Sequence, residues 1–385
     1  MPDWLKLSGS LQTTYRQSPY KATPLSAAQR FRLEANINQD SWIRGYVSGH
    51  VDADLSVPGR RDSEEHIVTP ELGEAYVTLD SRYLDLIIGM QQIRWGEADS
   101  LSTFDIINPV DFRNPIATAR SSQRLSVGAV DLRANLDGAG LLDLVLIPFP
   151  RFSRLPEYGS PWEDSSLRTL RQYARAGFVR RQREDGPFEP EAAARLKFFR
   201  PGYDVAFLFY RGYEHKPLYT ASLDRQRMQA LVKEIYEPYT AFGINIPVGL
   251  HLPGRIHHQG GLSLPVRRDH GGAPHGLRGH PRMGQEFSDK PERQPPGLLL
   301  QPRRRCRARQ GQGPLRHQLV RLTASIRGEL FASNGDYCVE IFSEYEYSDD
   351  LHFLAGYMLF GGDRRNDLGQ YDRNDHLYLG VRYSF

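Results

Sequence analysis

The chain ends on the segment NDHLYLGVRYSF, residues 374–385, in which apolar and polar side chains alternate. Successive side chains of a β-strand point to opposite faces, so this period gives a strand with one apolar and one polar face. The apolar face carries Leu377, Leu379, Val381, Tyr383 and Phe385. The number of such strands in the rest of the chain decides which fold class we predict.

Alternation at a period of two recurs along most of the chain, for example where Phe31 and Leu33 alternate with Arg30 and Arg32. Many segments approach the roughly 9–11 residues that a tilted membrane-spanning strand needs, whereas strands in soluble sandwiches average about 5–6 residues. The fifteen predicted strands are residues 5–15, 28–38, 42–57, 72–80, 84–91, 124–136, 141–149, 191–200, 205–215, 226–236, 239–249, 320–332, 336–347, 351–361 and 374–385.

The links between these strands alternate in length. Short, turn-rich links are predicted at residues 39–41, 81–82, 137–140, 201–204 and 348–350, and long polar links at residues 16–27, 58–71, 96–123, 150–190 and 362–373. Short periplasmic turns and long outer loops are typical of outer-membrane barrels. We therefore predict an all-β fold, a transmembrane antiparallel β-barrel in the outer membrane of a Gram-negative bacterium.

Composition is compatible with this prediction. Mean hydropathy is −0.53, and no run approaches the ~18 apolar residues of a membrane helix, but alternating barrel strands keep the average hydropathy low. The two cysteines, Cys306 and Cys338, form no disulfide framework. No signal peptide is visible after Met1, so a barrel would imply that the N-terminus of this sequence is truncated or starts too late.

The segment 251–318 departs from the alternating pattern. It is rich in Arg, Pro, Gly and His, it contains seven histidines, and its only aromatic residue is Phe287. It has 13 Lys and Arg against four Asp and Glu, a net charge of +9, which leaves 36 basic and 42 acidic residues elsewhere, a net charge of −6. The basic pI therefore comes from this segment alone.

Three interpretations of residues 251–318 are open. The segment could be a disordered basic arm that binds nucleic acid or anionic lipid, or a histidine-rich metal tract. We favour a third, out-of-frame translation between two compensating frameshifts, because a membrane strand does not tolerate this composition. Residues 1–250 then hold eleven barrel strands and residues 319–385 the last four. Bacterial barrels have even strand numbers, so the intact barrel would have 16 or 18 strands.

Residues 89–115 read GMQQIRWGEADSLSTFDIINPVDFRNP. Within them, Gln91–Gln92, Trp95–Gly96–Glu97 and Asn108–Pro109–Val110–Asp111 resemble the signature of a poorly characterised family of bacterial outer-membrane proteins related to the alginate-export porins. The resemblance implies a monomeric porin-like barrel. The closing strand also resembles the terminal strand that the barrel assembly machinery reads in this class, with Tyr383 and Phe385 as its aromatic signal.

The link 96–123 is too long for a simple surface connection, and it contains the apolar residues Phe104, Ile106, Ile107 and Phe112. Long structured loops are usually functional or disordered. We predict that it folds into the barrel mouth as a constriction, with Trp95, Glu97, Asn108, Pro109, Asp111 and Arg113 as its candidate site residues. The alternatives are that the loop only steadies the rim and that Trp95 belongs to an interface girdle.

The polar faces of the predicted strands carry both charges. The candidate pore-lining residues are Arg30, Arg32, Arg44, Asp52, Glu74, Asp85, Arg133, Arg195, Arg327 and Arg382, and Arg211 is placed on the same face. Charges that line a pore set its selectivity. The alternative is that they form cross-strand ion pairs that hold the wall.

Other chemistry has little support. Residues 362–375 offer several Asp and Asn oxygens, but they lack EF-hand spacing, and a solvated outer loop is preferred to a calcium site. No catalytic motif, cofactor or metal site is predicted. The predicted function is passive movement of a polar or charged solute, such as an anionic saccharide, by a monomer that contacts outer-membrane lipid and no nucleic acid. The alternatives are a non-conducting scaffold or anchor for an envelope partner, and a barrel-embedded hydrolase.

Overall fold

The structure is a computed structural model. It describes residues 3–38, 41–60, 63–95, 105–113, 123–137, 139–183, 188–200, 203–224, 229–252, 256–263, 266–268, 321–331, 335–366 and 368–385. Within these ranges no helix is long and apolar enough to cross a membrane.

Most of the described chain forms one large antiparallel sheet. Its strands are β1 (Leu5–Gln17), β2 (Ser26–Ile37), β3 (Ile43–Asp54), β4 (Val68–Asp80), β5 (Leu84–Gln91), β6 (Val127–Asn135), β7 (Gly140–Ile147), β9 (Glu191–Arg200), β10 (Tyr203–Tyr213), β13 (Pro238–Leu252), β14 (Ile256–Ser263), β15 (Val266–Arg268), β16 (Arg321–Phe331), β17 (Asp336–Glu346), β18 (Leu351–Gly361) and β19 (His376–Ser384). A second sheet contains β8 (Val179–Arg183), β11 (Leu218–Asp224) and β12 (Gln229–Ile235), and one α-helix, α1, spans Ser165–Arg175.

The large sheet joins the two ends of the chain. Neighbouring strands follow the order β14-β13-β10-β9-β7-β6-β5-β4-β3-β2-β1-β19-β18-β17-β16, and β15 also pairs with β13, which gives 16 strands. Thr13 of β1 lies opposite Val381 of β19, and the backbones of Gly9 and Phe385 exchange hydrogen bonds of 2.9 and 3.0 Å. Every neighbouring pair is antiparallel, so β14 and β16 run in the same direction and cannot pair antiparallel with each other.

The outer face of this sheet is apolar. Leu11, Phe31, Leu377 and Leu379 are among the many large apolar side chains that are exposed, while their neighbours along each strand point inward. Such exposure would be unfavourable in water but is the lipid-facing band of a membrane barrel. The predicted all-β, transmembrane antiparallel barrel is confirmed by this sheet and its exposed apolar face.

Three predictions about the wall need correction. The predicted barrel strand 226–236 belongs to the second sheet instead, because β12 pairs with β11 and β8. Ten wall strands, not eleven, therefore run from β1 to β13, with both of these counted. Arg211 does not face the lumen: in β10 the buried residues are Leu208 and Tyr210, so Arg211 lies on the opposite, exposed face.

The irregular segment is only partly described. Ile256–Ser263 and Val266–Arg268 pair with β13, although the sequence pattern predicts no strand there. The interpretation of residues 251–318 as frameshifted or disordered otherwise lies outside the described residues.

Candidate functional site

The link between β5 and β6, residues 92–126, is the inner loop. Its described residues Ile93, Trp95 and Ile107 are buried. They form one apolar cluster with side chains on the inner faces of β6, β7, β9, β10 and β13: Val127, Ala129, Val145, Ile147, Ala193, Leu208, Tyr210 and Ala241. The inner loop therefore lies inside the barrel, against this wall.

Asn108 holds the inner loop in place. Its side-chain oxygen accepts a hydrogen bond from the Ile93 backbone (2.7 Å), and its amide donates to the carbonyl of Leu125 (2.9 Å) and to that of Gln91 (3.3 Å). Pro109 follows it, is fully buried and accepts from the Leu125 backbone at 2.9 Å. A buried amide with every partner satisfied fixes a unique conformation, so Asn108 is a positioning residue.

Trp95 is buried in the lumen and is not part of an interface girdle. The Arg195 guanidinium donates to the Trp95 carbonyl at 3.3 Å and lies 5.4 Å from the centre of the indole ring. Arg195 also pairs with the buried Asp143 at 2.5 Å. Trp95 therefore connects the inner loop to the β7–β9 wall through a cation–π contact.

The link after β7 contains a second inward segment, residues 148–164, which we call the strap. Trp162 is buried against Leu25, Met358 and Phe360, and its ring centre lies 6.0 Å from that of Phe360. Met358 and Phe360 belong to β18, and seven strands (β6, β5, β4, β3, β2, β1 and β19) separate β7 from β18 along the wall. The strap therefore spans the mouth of the barrel.

Polar contacts fasten the far end of the strap to the link between β18 and β19. Asn374 donates to the Pro161 carbonyl at 2.7 Å, and the Tyr371 hydroxyl donates to the Trp162 carbonyl at 3.0 Å. Lys21, from the link between β1 and β2, donates to the Asn374 side chain at 2.6 Å. Burial, together with the charges of Arg168 and Arg60, lowers the pKa of Lys21 to about 8.

Asp164 ends the strap and begins α1. One of its oxygens accepts from the backbones of Ser166 (2.8 Å) and Leu167 (3.2 Å), which is an N-cap, and the other accepts from Gln370 at 3.0 Å. Burial tends to raise the pKa of Asp164, but the hydrogen bonds from Gln370 and the helix backbone prevail and lower it. The cap therefore remains charged and ties α1 to the same link.

A group of charges forms where the strap meets the inner loop. It contains Arg113, Arg151 and Arg154 with the carboxylates of Glu71 and Asp111, and we call it the arginine cluster. Glu71 pairs with all three arginines, with Arg151 at 3.1 Å and with Arg113 at 3.4 Å, and Arg113 pairs with Asp111 at 2.5 Å. The backbones of Phe112 and Arg154 bond at 2.8 Å, so strap and inner loop form one unit.

The predicted pore-lining residues mostly lie in ion pairs along the wall. Arg30 pairs with Asp52 at 2.6 Å, Arg133 with Asp131 at 2.8 Å, and Arg382 with Glu344 at 2.5 Å. Further pairs join Arg32 to Glu34, Arg44 to Asp80, and Arg195 to Asp143. These contacts support the alternative that such charges hold the wall.

The remaining predicted site residues lie outside these ion pairs of the wall. Glu74 and Asp85 line a cavity of about 250 Å³ with Arg44 and Arg133. Tyr383 and Phe385 are exposed on the lipid-facing side, where the Phe385 ring stacks 6.4 Å from Phe31. Glu97 and the side chain of Arg327 lie outside the described residues.

The described residues contain no group of three or more His, Cys, Asp or Glu that could hold a metal ion. In the segment 362–375, Asn366 and the Leu368 backbone instead bond to the buried Asp336, at 3.2 and 3.0 Å. Oxygens of the segment also accept within the protein: Asp363 from the Arg365 backbone at 3.0 Å, Asp372 from Arg364 at 3.0 Å and Asp375 from the Phe360 backbone at 2.7 Å.

Sequence reasoning missed the strap and most of the arginine cluster. Trp162, Arg151 and Arg154 lie in one predicted polar link, and Glu71 lies in another. A tryptophan in a long link was the one available signal, since an isolated Trp among polar residues needs an apolar partner elsewhere.

No protein-family model and no curated protein matches this chain. Among solved structures, the trimer form of in-vitro folded OmpT, an outer membrane protein of Vibrio cholerae, is 10% identical with a TM-score of 0.44, and covers 99% of each chain. A mutant of the Rh. blastica porin is 10% identical with a TM-score of 0.41, over 99% of this chain and 100% of its own. Salmonella typhi OmpF, in complex with daunomycin, is 8% identical with a TM-score of 0.38, over 99% and 97%. All three scores are below 0.5, so these likenesses carry no argument for fold or function.

Proposed function

We propose that this porin-like barrel is a channel for the passive movement of small polar solutes, with a preference for anions. The observation that carries the proposal is the arginine cluster at the mouth. It has three guanidinium groups and two carboxylates, and its cations are the more accessible partners: Arg151 and Arg154 are 25% and 37% exposed, whereas Glu71 is 10% exposed. A solute at this point meets mainly positive charge.

The wall supports the same preference. Arg133 is 40% exposed and its partner Asp131 is fully buried, and Arg195 is likewise more exposed than Asp143. Neutral ion pairs with their cations toward the lumen present hydrogen-bond donors to a passing solute. Planar guanidinium groups bind carboxylates and phosphates in two-point contacts.

The two inward segments favour small solutes. The inner loop occupies the wall from β6 to β13, and the strap spans the mouth to β18. We also propose, from the sequence resemblance, that the chain acts without catalysis as a monomer, and that Tyr383 and Phe385 form its assembly signal.

Liposome swelling tests the proposed function. Proteoliposomes of the full chain should swell fastest with small anionic solutes, more slowly with neutral solutes and slowest with cationic solutes of equal size. Replacing Arg151 and Arg154 together by Gln should remove the difference between anions and cations. Arg82→Gln, which removes an exposed cation from the short link between β4 and β5, should leave that difference intact. Equal rates for all three solute classes in the wild type would contradict the proposed anion preference.

A second function is favoured by the strap itself. Its far end is fastened by Trp162 and by two hydrogen bonds, from Tyr371 and Asn374, and Lys21 in turn donates to Asn374. A barrel closed in this way would be a non-conducting scaffold or anchor. That function would be supported if neither the wild type nor a variant with a released strap admitted any solute.

A further inference from the structure

The second sheet, formed by β8, β11 and β12, has one covered face and one open face. Val232 is buried and the hydroxyl of Tyr219 is enclosed, so the centre of their side of the sheet is covered, whereas Arg181, Arg183 and Leu223 at its margins are exposed. The opposite side carries five exposed polar residues, which we call the donor face: Arg180, Gln182, Thr220, Ser222 and Lys233. The apolar residues on this side are Leu218, Leu231 and Ile235.

The strand register brings these residues together. Gln182 of β8 and Thr220 of β11 both lie opposite Lys233 of the central strand β12, and Arg180 and Ser222 both lie opposite Leu231, two residues earlier. Neighbouring strands are about 4.8 Å apart with a rise of about 3.3 Å per residue, which places the backbones of Arg180 and Lys233 about 8 Å apart. The long side chains of Arg180 and Lys233 can therefore contact the same anionic group of a ligand, or two adjacent anionic groups.

Each of the five side chains donates hydrogen bonds, two of them with a positive charge. Residues 165–183 contain six arginines and no Asp or Glu. On the covered side, Arg181 pairs with Glu234. Arg180 and Lys233 form no ion pair with any residue that the structure describes. The register places one acidic residue, Asp224, at the end of β11 on this side of the sheet, two strands away from Arg180. The face therefore complements an anion with several oxygens.

We propose that the donor face binds the phosphate groups of lipopolysaccharide, the phosphorylated saccharide lipid of the outer leaflet. The second sheet is formed by the long links after β7 and β10. Long links of an outer-membrane barrel lie at its outer end. Phosphorylated sugars surround a barrel at that level of the membrane. The hydroxyl and amide donors suit sugar and phosphate oxygens, and the two cations suit the charge.

This inference does not depend on conduction, because the donor face lies on a different sheet from the lumen wall. A barrel that binds the saccharide without conducting would contradict the proposed channel and leave this inference standing. A barrel that conducts but does not bind the saccharide would support the proposed channel and contradict this inference.

The test uses the full chain in nanodiscs and an acyl-free, phosphorylated lipopolysaccharide oligosaccharide, so that contacts of lipid tails with the barrel wall are absent. Replacing Arg180 and Lys233 together by Gln should weaken binding at least about tenfold, because two charge-assisted contacts are lost; tenfold corresponds to about 1.4 kcal/mol. Arg183→Gln is the matched control: it removes an exposed cation from the same strand but from the other side, and binding should change less than about twofold.

Two further arms keep the inference testable if the double variant folds poorly. The wild type should lose binding to the same oligosaccharide after its phosphates are removed, and added salt should weaken binding to the phosphorylated form. Inorganic phosphate should compete only at high concentration, because it offers a single anionic group. Equal binding of the phosphorylated and dephosphorylated forms, or equal binding by the wild type and the double variant, would overturn the inference.

Discussion

The side chain of Asn374 donates a 2.7 Å hydrogen bond to the carbonyl oxygen of Pro161. Pro161 lies on a link that leaves the wall at β7, and Asn374 lies two residues before β19, which is seven strand positions from β7. The bond therefore connects two sides of the barrel across its mouth. With Trp162 seated beside it, the strap is a fixed part of the channel and not a free surface loop.

Replacing Trp162 by Ala should release the far end of the strap. The substitution removes a buried indole from its site between Leu25 and Phe360, and large-to-small changes of this kind cost about 3–5 kcal/mol. We expect trypsin to cleave the folded barrel after Arg151 or Arg154, positions that resist cleavage in the wild type. Trp162→Phe, which keeps an apolar ring, should remain largely resistant. Unchanged resistance in Trp162→Ala would show that the indole does not hold the strap.

The stability of the barrel should rise with pH because of Lys21. Burial and two neighbouring arginines lower the pKa of Lys21 from its ordinary 10.5 to about 8, so between these values the unfolded chain binds more protons than the folded chain. The free energy of unfolding must therefore increase as the pH rises from about 8 to 10.5, and this contribution is absent below about pH 8. Urea unfolding at pH 7 and pH 10 measures it.

Two variants control the Lys21 prediction. Lys21→Met removes the titrating group and should flatten this part of the pH profile. Lys6→Met changes an exposed lysine on β1 and should leave the profile as it is. A wild-type profile that falls between pH 8 and pH 10 would contradict the assigned environment of Lys21.

Alternation predicted the wall of the barrel well, because it acts locally: a strand that separates hydrocarbon from a wet interior must alternate at every step. It failed at residues 226–236, which alternate equally well in β12 although that strand lies in the small sheet. Alternation indicates that the two faces of a strand have different surroundings, but it does not show whether one of these surroundings is lipid. The seven residues of β12 are also short for a membrane crossing.

The site was less predictable than the wall. The apolar residues of the inner loop predict that it folds inward, because burial of apolar side chains is favourable, and Trp95 and Ile107 do lie in the lumen. The strap depends on contacts between residues far apart in the chain, such as Trp162 with Phe360. Nothing in the local pattern of residues 148–164 specifies those partners, and the arginine cluster exists only once the strap and the inner loop meet.

Replacing Asn108 by Ala should loosen the inner loop. The Ile93 backbone N–H and the Leu125 carbonyl would lose their partner inside the protein, and each unsatisfied buried group costs about 1–3 kcal/mol. We expect a lower urea midpoint and faster amide exchange at Ile93, measured by mass spectrometry. Asn135→Ala, at the exposed end of β6, is the control and should change neither. Wild-type exchange at Ile93 in the Asn108 variant would contradict the positioning role.

Deleting the ring of Phe385 should impair assembly more than folding. The Phe385 backbone bonds Gly9 whatever the side chain, but the ring stacks on Phe31 and is exposed toward lipid. Phe385→Ala should lower the fraction of heat-modifiable barrel in the outer membrane and leave refolding in detergent nearly unchanged. Leu379→Ala, which removes an exposed apolar group from the same strand, should assemble normally. Equal assembly of both variants would argue against an aromatic signal.

Single-channel recording in planar bilayers tests most directly whether the lumen conducts past a fixed strap. The wild type should show a small, steady conductance, and in a KCl gradient its reversal potential should have the sign of chloride preference. Trp162→Ala should conduct more and fluctuate more, and Trp162→Phe should behave like the wild type. A folded wild-type barrel that carries no current, with Trp162→Ala equally silent, would contradict the channel and leave the scaffold.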